Sequence, residues 1–482
     1  MKITWSSFLF VFSFILSCQV ISGGRFRQHS NNVTSLQDQN SDQLYESFIS
    51  LVRPFDLEQH FVQTQDGYIL RLFRLKANRT SDIPRKVVFL QHGLLDSAAG
   101  FVLLGPQKAL AFMLVNKGYD VWLGNSRGNT FSRRHAWLDP RNADYWRFTW
   151  DEMARYDLPT SIQYVLSTTG SRSLSYIGHS QGTTTLLAAA STTPALVSSI
   201  DVAVLLAPVA MVGHMRSLPL LAMAALGTDE LFKEIGIREF LPSEKTASRL
   251  EGQLCTLQPW LCISFLTALC GFNPSNLDLE SLPQNLNFTP AGTSVSNMAH
   301  WAQSVRLKLL NGMSYYDFGS NCGVQINRRP TCNEQAYGSV VPPKYDLTKI
   351  RKPNFLALFF GGQDRLATPM DDEFLLESLW PGVVQSIQRD PDYEHLDYIW
   401  GKNAPERVYD KVIEIIEQVN TSSRSSIYNG YIRKGDQSQI SSMDTINTTN
   451  ANDLFWRWIV KLWRILMAWR SSCQEYIYNR MP

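Results

Sequence analysis

One stretch of the chain has residue types and spacing suited to nucleophilic chemistry: Gly178-His179-Ser180-Gln181-Gly182. It joins a β-rich apolar run, Leu174–Gly178, to a Leu/Ala-rich run, Gly182–Ala190, that reads as a helix. Gly-x-Ser-x-Gly at such a junction makes a sharp, strained turn, and small residues flank the serine because larger side chains would clash. The turn lifts the Ser180 hydroxyl clear of the backbone. The helix that follows aims its N-terminal dipole at the place where an oxyanion would form.

The motif occurs twice, so context must decide between its copies. Gly124-Asn125-Ser126-Arg127-Gly128 has the same spacing and also follows a strand-like run. No helical apolar pattern comes after it, and it lies only one strand beyond the His92-Gly93 turn, too early for a nucleophile that comes two strands later. Ser126 therefore reads as part of a structural loop, and Ser180 as the nucleophile.

A serine hydroxyl attacks poorly until a base removes its proton. On sheets of this kind the partners follow the serine in the order acid, then histidine. Asp364, in Gly361-Gly-Gln-Asp364, comes directly after an apolar strand. His395, in Asp392-Tyr-Glu-His395-Leu-Asp, comes after the last strand and is the one histidine that follows a suitable acid. Asp371 and Asp372 lie beyond Pro369 and read as first-turn acids of the next helix. His179, adjacent to Ser180 on a turn that sends neighbours in different directions, reads as a packing or hydrogen-bonding residue. Gly93, after the strand ending at Gln91-His92, permits a tight turn that aims the Leu94 backbone N–H into the site. The Gln181 N–H is the second expected oxyanion donor, and His92 reads as a residue that supports the loop.

These residues need strands to carry them. Val87–Gln91, Tyr119–Leu123, Leu174–Gly178, Val202–Leu206, Asn354–Phe360 and Val383–Gln388 read as buried strands, with Asp157–Ser167 and Gly182–Ala190 as helices between them. Alternation of this kind predicts an α/β fold with a mostly parallel sheet covered on both faces. Reactive groups then sit where strands end and helices begin.

At this level of detail the chain resembles the acid lipases, the family of gastric and lysosomal acid lipases and their insect relatives. The resemblance runs from about Phe55 to Val419. It rests on Thr64-Gln-Asp-Gly-Tyr-Ile-Leu, His92-Gly-Leu-Leu, Gly124-Asn-Ser-Arg-Gly-Asn, Asp151-Glu-Met-Ala-Arg-Tyr-Asp-Leu-Pro, Gly178-His-Ser-Gln-Gly, Gly361-Gly-Gln-Asp and His395-Leu-Asp-Tyr-Ile-Trp-Gly. It implies an α/β-hydrolase fold with Ser180, Asp364 and His395 as triad and Leu94 and Gln181 as oxyanion donors. It also implies neutral lipid esters, triacylglycerols or sterol esters, as substrates, an acidic pH preference, and no cofactor or metal. A thioesterase, a small-ester carboxylesterase and a silent, yolk-like lipid binder on the same fold are the competing readings. The resemblance further implies a helical cap between the strands at Val202–Leu206 and Asn354–Phe360, an interval of about 150 residues. That is far more than one crossover helix needs. The expected division is therefore a hydrolase core at 45–210 and 351–420, with a cap or lid at 211–350. By the same resemblance a cap disulfide maps onto Cys255–Cys262 and leaves Cys270 free.

The two ends add a second theme. Lys2, the apolar run Phe8–Leu16 and the small residues up to Ser22 read as a signal peptide over 1–22. That implies a secretory route, ending outside the cell or in the lysosome, and an oxidising compartment. Sequons at Asn32, Asn78, Asn287, Asn420 and Asn447 are candidate glycosylation sites. Cys322 and Cys332, like Cys255 and Cys262, are spaced for a short disulfide-closed loop, although spacing alone leaves the connectivity open. Residues 421–453 read as a polar linker. In the tail, 454–482, Arg457, Lys461 and Arg464 share one helical face, Phe455, Ile459, Leu462 and Leu466 take the other, and Trp458, Trp463 and Trp469 flank them. That pattern over 454–470 suits either a membrane-surface helix or a helix docked on the protein's own apolar patch. The 482 residues carry a net charge of +2, are 44% hydrophobic and only 18% charged. These values fit a folded protein and leave no electrostatic footprint for nucleic acid.

Overall fold

The structure, a computed structural model, describes residues 33–53, 55–76, 86–227, 281–307, 312–319, 331–352 and 355–422, with a few short pieces between 232 and 278. The expected signal peptide, the polar linker beyond Ser422 and the Trp-rich tail lie outside the described residues, as do Cys255, Cys262, Cys322, Asn32, Asn78 and Asn447; Thr421 and Ser422, expected in the linker, end a helix instead. All that follows concerns the unit that ends at Thr421.

Nine strands form its main sheet: β1 (Asp56–Gln63), β2 (Tyr68–Lys76), β3 (Val87–Gln91), β4 (Asp120–Leu123), β5 (Arg134–His135), β6 (Leu174–His179), β7 (Ile200–Leu206), β10 (Leu356–Gly361) and β11 (Val384–Asp390). Their order is β1-β2-β4-β3-β6-β7-β10-β11, with β5 paired to β2. From β4 to β11 every neighbouring pair is parallel, while β1, β2 and β5 pair antiparallel at the other end.

Side chains along the central strands alternate between two cores, as the two-residue period of a strand requires. Val88, Leu90, Val121, Ile177, Val204 and Phe359 enter one core, shared with helices α2 (Leu110–Asn116) and α8 (Asp410–Ser422). Phe89, Trp122, Tyr176, Leu205 and Leu358 enter the other, shared with helices α3 (Leu158–Thr169) and α4 (Gln181–Thr192). Both faces being covered, β3, β4, β6 and β10 are buried at every residue. Their sequences are accordingly dominated by apolar residues, which makes them readable.

Two features depart from the sequence reading. The run at Val383–Gln388 is not a buried strand: β11 is the edge of the sheet and is half-exposed along its length. The hairpin β1–β2 adds an antiparallel end to the sheet that the buried apolar runs do not indicate. β1, Asp-Leu-Glu-Gln-His-Phe-Val-Gln, is mostly polar and holds its place by pairing with β2 along its whole length. Helix α1 (Val33–Val52) seats Phe48 on Phe73 of β2, ring centroids 4.4 Å apart, and so begins before residue 45.

The interval after β7 holds helix α5 (Leu218–Ala225), the two-stranded β8 (Glu239–Phe240) and β9 (Thr293–Ser294), and helix α6 (Val295–Leu307). Met223, Phe232, Phe240 and Val295 make a small core of their own there. The chain then returns to the main sheet at β10, and helix α7 (Pro369–Ser378) leads on to β11.

Candidate active site

Strands β3, β6, β10 and β11 all end at one edge of the sheet, and the loops leaving them carry the residues singled out from the sequence. Ser180 is the residue between β6 and α4, with φ +51° and ψ −121°. A non-glycine residue there costs about 1–3 kcal/mol and persists only when its surroundings fix it. The surroundings also explain the motif's glycines. A Cβ on Gly182 would lie 2.4 Å from the Gln91 carbonyl oxygen, and one on Gly178 3.0 Å from the Gly182 carbonyl carbon. The backbones of β6, α4 and β3 are therefore too close for any side chain at these positions.

The structure brings Ser180, His395 and Asp364 together. His395 Nε2 lies 2.7 Å from Ser180 Oγ, and His395 Nδ1 lies 2.7 Å from Asp364 Oδ2. The other carboxylate oxygen of Asp364 accepts the backbone N–H groups of Leu366 (2.7 Å) and Ala367 (2.9 Å). These bonds fix the carboxylate and leave its Oδ2 to the imidazole. All three residues are buried, Ser180 being the most open at 8%. An imidazole bonded to a carboxylate at Nδ1 offers its Nε2 lone pair to the serine hydroxyl, which is what proton abstraction requires.

Leu94 follows Gly93, where a Cβ would sit 2.9 Å from Ser180 Cβ and 3.4 Å from Oγ. That places the loop after β3 directly against the serine. Gln181 is the first residue of α4, where a backbone N–H has no acceptor within the helix.

His92 and His179 serve as supports. The ring Nε2 of His92 accepts from the Ser126 backbone N–H (3.0 Å), so its proton is on Nδ1, which donates to the Gly93 carbonyl (2.7 Å). Burial pushes His92 down to about 4. His179 donates from Nε2 to the His395 carbonyl (3.1 Å), and burial, with His395 adding to it, pushes it down to about 3.

The second motif is built otherwise. Ser126 Oγ accepts from Gln91 Nε2 at 3.0 Å. Arg127 is fully buried, with Asp66 at 2.6 Å and Asp157 at 2.7 Å from its guanidinium and the Tyr68 ring 4.0 Å from its Cζ. Asn125 joins Ala98, Arg71 and Asn129. This loop ties the β1–β2 hairpin to the start of α3.

Sequence reasoning missed several residues that hold the site. Asp397 accepts the Glu394 backbone N–H (2.8 Å) and the Asn276 side chain (3.0 Å), bracing the loop that carries His395; burial pushes it up to about 6. Asp371 and Asp372 stand in the first turn of α7, as the sequence implies, and Asp371 there accepts the backbone N–H (3.1 Å) and ring (2.9 Å) of His214. Asp372 is pushed up to about 9 by burial first and the nearby Asp364 charge second. On α6, Asn297 and Trp301 both reach Gln181. A polar residue on a predicted cap helix carries no sequence signal for such a contact. Cys270 is a free thiol, and burial pushes it up to about 12. Cys332 is disulfide-bonded. Asn287 is exposed. Among the described residues no group of three or more His, Cys, Asp or Glu could hold a metal ion, and no helix is long and apolar enough to cross a membrane.

Comparison with known proteins supplies the family. Residues 51–105 match the partial alpha/beta-hydrolase lipase region, and residues 86–402 match the alpha/beta hydrolase fold. Gastric triacylglycerol lipase of Homo sapiens is 40% identical over 367 residues, covering 75% of this chain and 88% of that protein. Lysosomal acid lipase/cholesteryl ester hydrolase of Homo sapiens is 39% identical over 373 residues, and lipase member K of Mus musculus 39% identical over 377; each comparison covers 76% of this chain and 88% of the relative. The chain belongs to the acid lipase family of the α/β-hydrolase fold.

Proposed function

We propose that the protein is a serine lipase that cleaves neutral lipid esters, triacylglycerols or sterol esters, through an acyl-enzyme on Ser180. The observation that carries this reading is the continuous chain of 2.7 Å hydrogen bonds from Ser180 through His395 to Asp364. Ser180 Oγ attacks the ester carbonyl as His395 Nε2 takes its proton. Asp364 orients the imidazole and stabilises the imidazolium. The backbone N–H groups of Leu94 and Gln181 receive the developing oxyanion, donors of a kind that contribute about 3–4 kcal/mol each. His395 then protonates the leaving alcohol. Water, activated by the same histidine, releases the fatty acid and restores Ser180. Water enters and an acid and an alcohol leave, so no cofactor is needed to balance the reaction.

The segment 211–350 acts as the cap, with part of it a movable lid over an acyl-chain pocket. Leu95, beside the proposed oxyanion donor, packs against the insertion's own core with Leu220 and Met298, which supports an apolar wall at that point. The signal peptide, the sequons and the family together support delivery through the secretory pathway. The basic, Trp-flanked pattern of 454–470 supports a helix lying on the lipid surface; unchanged vesicle or droplet binding after deletion from Leu454 would refute it. The test of the activity is hydrolysis across an ester chain-length and pH series. Wild type should prefer long acyl chains, and Ser180→Ala should lose roughly a millionfold in turnover. Unchanged turnover in that variant would sink the proposal.

A further inference from the structure

Gln181 has a backbone task in the mechanism above, yet its side chain is held with unusual care. It is 4% exposed, and its Oε1 accepts two hydrogen bonds, from Asn297 Nδ2 at 2.9 Å and from Trp301 Nε1 at 2.8 Å. Both donors stand on α6, inside the insertion. An indole N–H can only donate, so Trp301 fixes which end of the Gln181 amide faces α6. The amide nitrogen is then left against Met153 Sδ, 3.5 Å away. Asn297 is itself completely buried and anchored, its backbone N–H on Ser294 Oγ (2.8 Å) and its Nδ2 also on Thr293 Oγ1 (3.1 Å). Beneath it, Ser294 Oγ bonds the Phe148 carbonyl. The next turn of α6 is fixed by His300, stacked on Trp150 at 4.1 Å and bonded to the Ser314 carbonyl at 2.9 Å.

The same stretch of the insertion grips the other proposed donor loop. The Ala291 N–H bonds the Leu95 carbonyl at 2.7 Å, and Thr289 Oγ1 reaches Asp96 Oδ1 at 3.3 Å. Leu95 has φ +60°, outside the comfortable range of a leucine. Both loops that flank the serine therefore hold strained residues, and one segment, 289–301, is bonded to both.

We propose that Asn297 and Trp301 are positioning residues for the oxyanion hole. They clamp the Gln181 side chain so that relaxation of the strained Ser180 turn cannot rotate the 180–181 peptide and swing the Gln181 N–H off the developing oxyanion. This rests on the serine-lipase reading above and deepens it: part of the insertion belongs to the catalytic core, and lid movement must spare 289–301. If Gln181 were to shift, Trp301 Nε1 would lose its acceptor and Asn297 Nδ2 one of its two, which opposes the shift.

The full chain with Trp301→Phe, which removes one donor and keeps the ring, and with Asn297→Asp, which sets an acceptor against Oε1, tests the clamp. Turnover of a dissolved short-chain ester is measured, so that lipid-surface binding plays no part. Rates are normalised to sites titrated with a phosphonate ester, which removes misfolded protein from the comparison. The clamp predicts a kcat per titrated site lower by about tenfold in Trp301→Phe and about a hundredfold in Asn297→Asp, since small displacements of a catalytic group cost that much. KM should stay within about twofold, and affinity for an alkyl boronic acid, whose tetrahedral adduct fills the oxyanion hole, should weaken in step with kcat. Wild-type kcat per site and wild-type boronate affinity in both variants would overturn the proposal. So would a rise in KM without loss of boronate affinity. If the phosphonate fails to label Ser180 in the wild-type protein, the serine-lipase reading itself fails, and the two failures are distinguishable.

Discussion

The two Gly-x-Ser-x-Gly loops carry the same spacing and meet at Gln91, yet the fold uses them in opposite ways. Around Ser126 every visible group is consumed by structure: its hydroxyl by Gln91, its N–H by His92, and the neighbouring guanidinium by two carboxylates. Around Ser180 the hydroxyl faces an imidazole whose far nitrogen is braced by Asp364. What separates them is the element that follows. A helix starting at Gln181 forces the turn and frees the serine. Gly128 instead leads into a loop whose backbone folds back on itself, its N–H bonded to the Ser132 carbonyl at 2.9 Å. A motif of this kind specifies a tight backbone, and only its context decides whether the serine is presented or buried in a network.

Paired substitutions sharpen the contrast. The largest effect is expected in the Ser180→Ala enzyme, with turnover down roughly a millionfold and melting temperature nearly unchanged. Ser126→Ala should do the reverse, keeping turnover within about threefold while losing about 1–3 kcal/mol of stability, because Gln91 Nε2 loses a buried acceptor. Denaturant melts and ester assays on the two proteins read both quantities. Arg127→Met should be the more damaging change at the structural loop, at about 3–5 kcal/mol, since it leaves Asp157 and Asp66 facing a buried space without their cation. A loss of activity at Ser126→Ala without loss of stability would break the comparison.

A smaller effect concerns pH, through His92, which contacts both loops. Its folded pKa is depressed to about 4. The stability it supports is therefore present above the ordinary histidine value of about 6.5 and is lost as pH falls from there toward 4. Asp96, on the loop after β3, has the opposite sign. Burial raises it to about 7, so it weakens the fold above that pH and the penalty is relieved as pH falls toward the ordinary carboxylate value. Melting temperatures at pH 7.5 and 5 should show His92→Gln losing less on acidification than wild type and Asp96→Asn losing more. Equal slopes in all three proteins would contradict these assignments.

The sequence made the sheet centre and the three reacting side chains legible for the same physical reason. Strands buried on both faces read as apolar runs and reacting groups stand where strands end, so Ser180 could be placed by the strand before it and the helix after it, and Asp364 and His395 by their order along the chain. The edges were harder to read. β1 is polar because one side of it meets water, and β11, whose sequence reads as a buried strand, is half-exposed because it has a neighbour on one side only. Least legible was the bracing of the site from the insertion. Asn297, Trp301 and Asn276 are more than 100 residues away in sequence from the groups they hold, and neither a helical pattern at 297–301 nor a turn at 276 marks a side chain that will meet Gln181 or Asp397.

The most direct test is to treat the folded protein with a long-chain alkyl phosphonate ester and locate the adduct by peptide mass spectrometry. The serine-lipase account predicts one label per chain, on Ser180 within Gly178–Gly182, abolished in Ser180→Ala and retained in Ser126→Ala. Label on Ser126, or undiminished labelling of the Ser180→Ala protein, would contradict it.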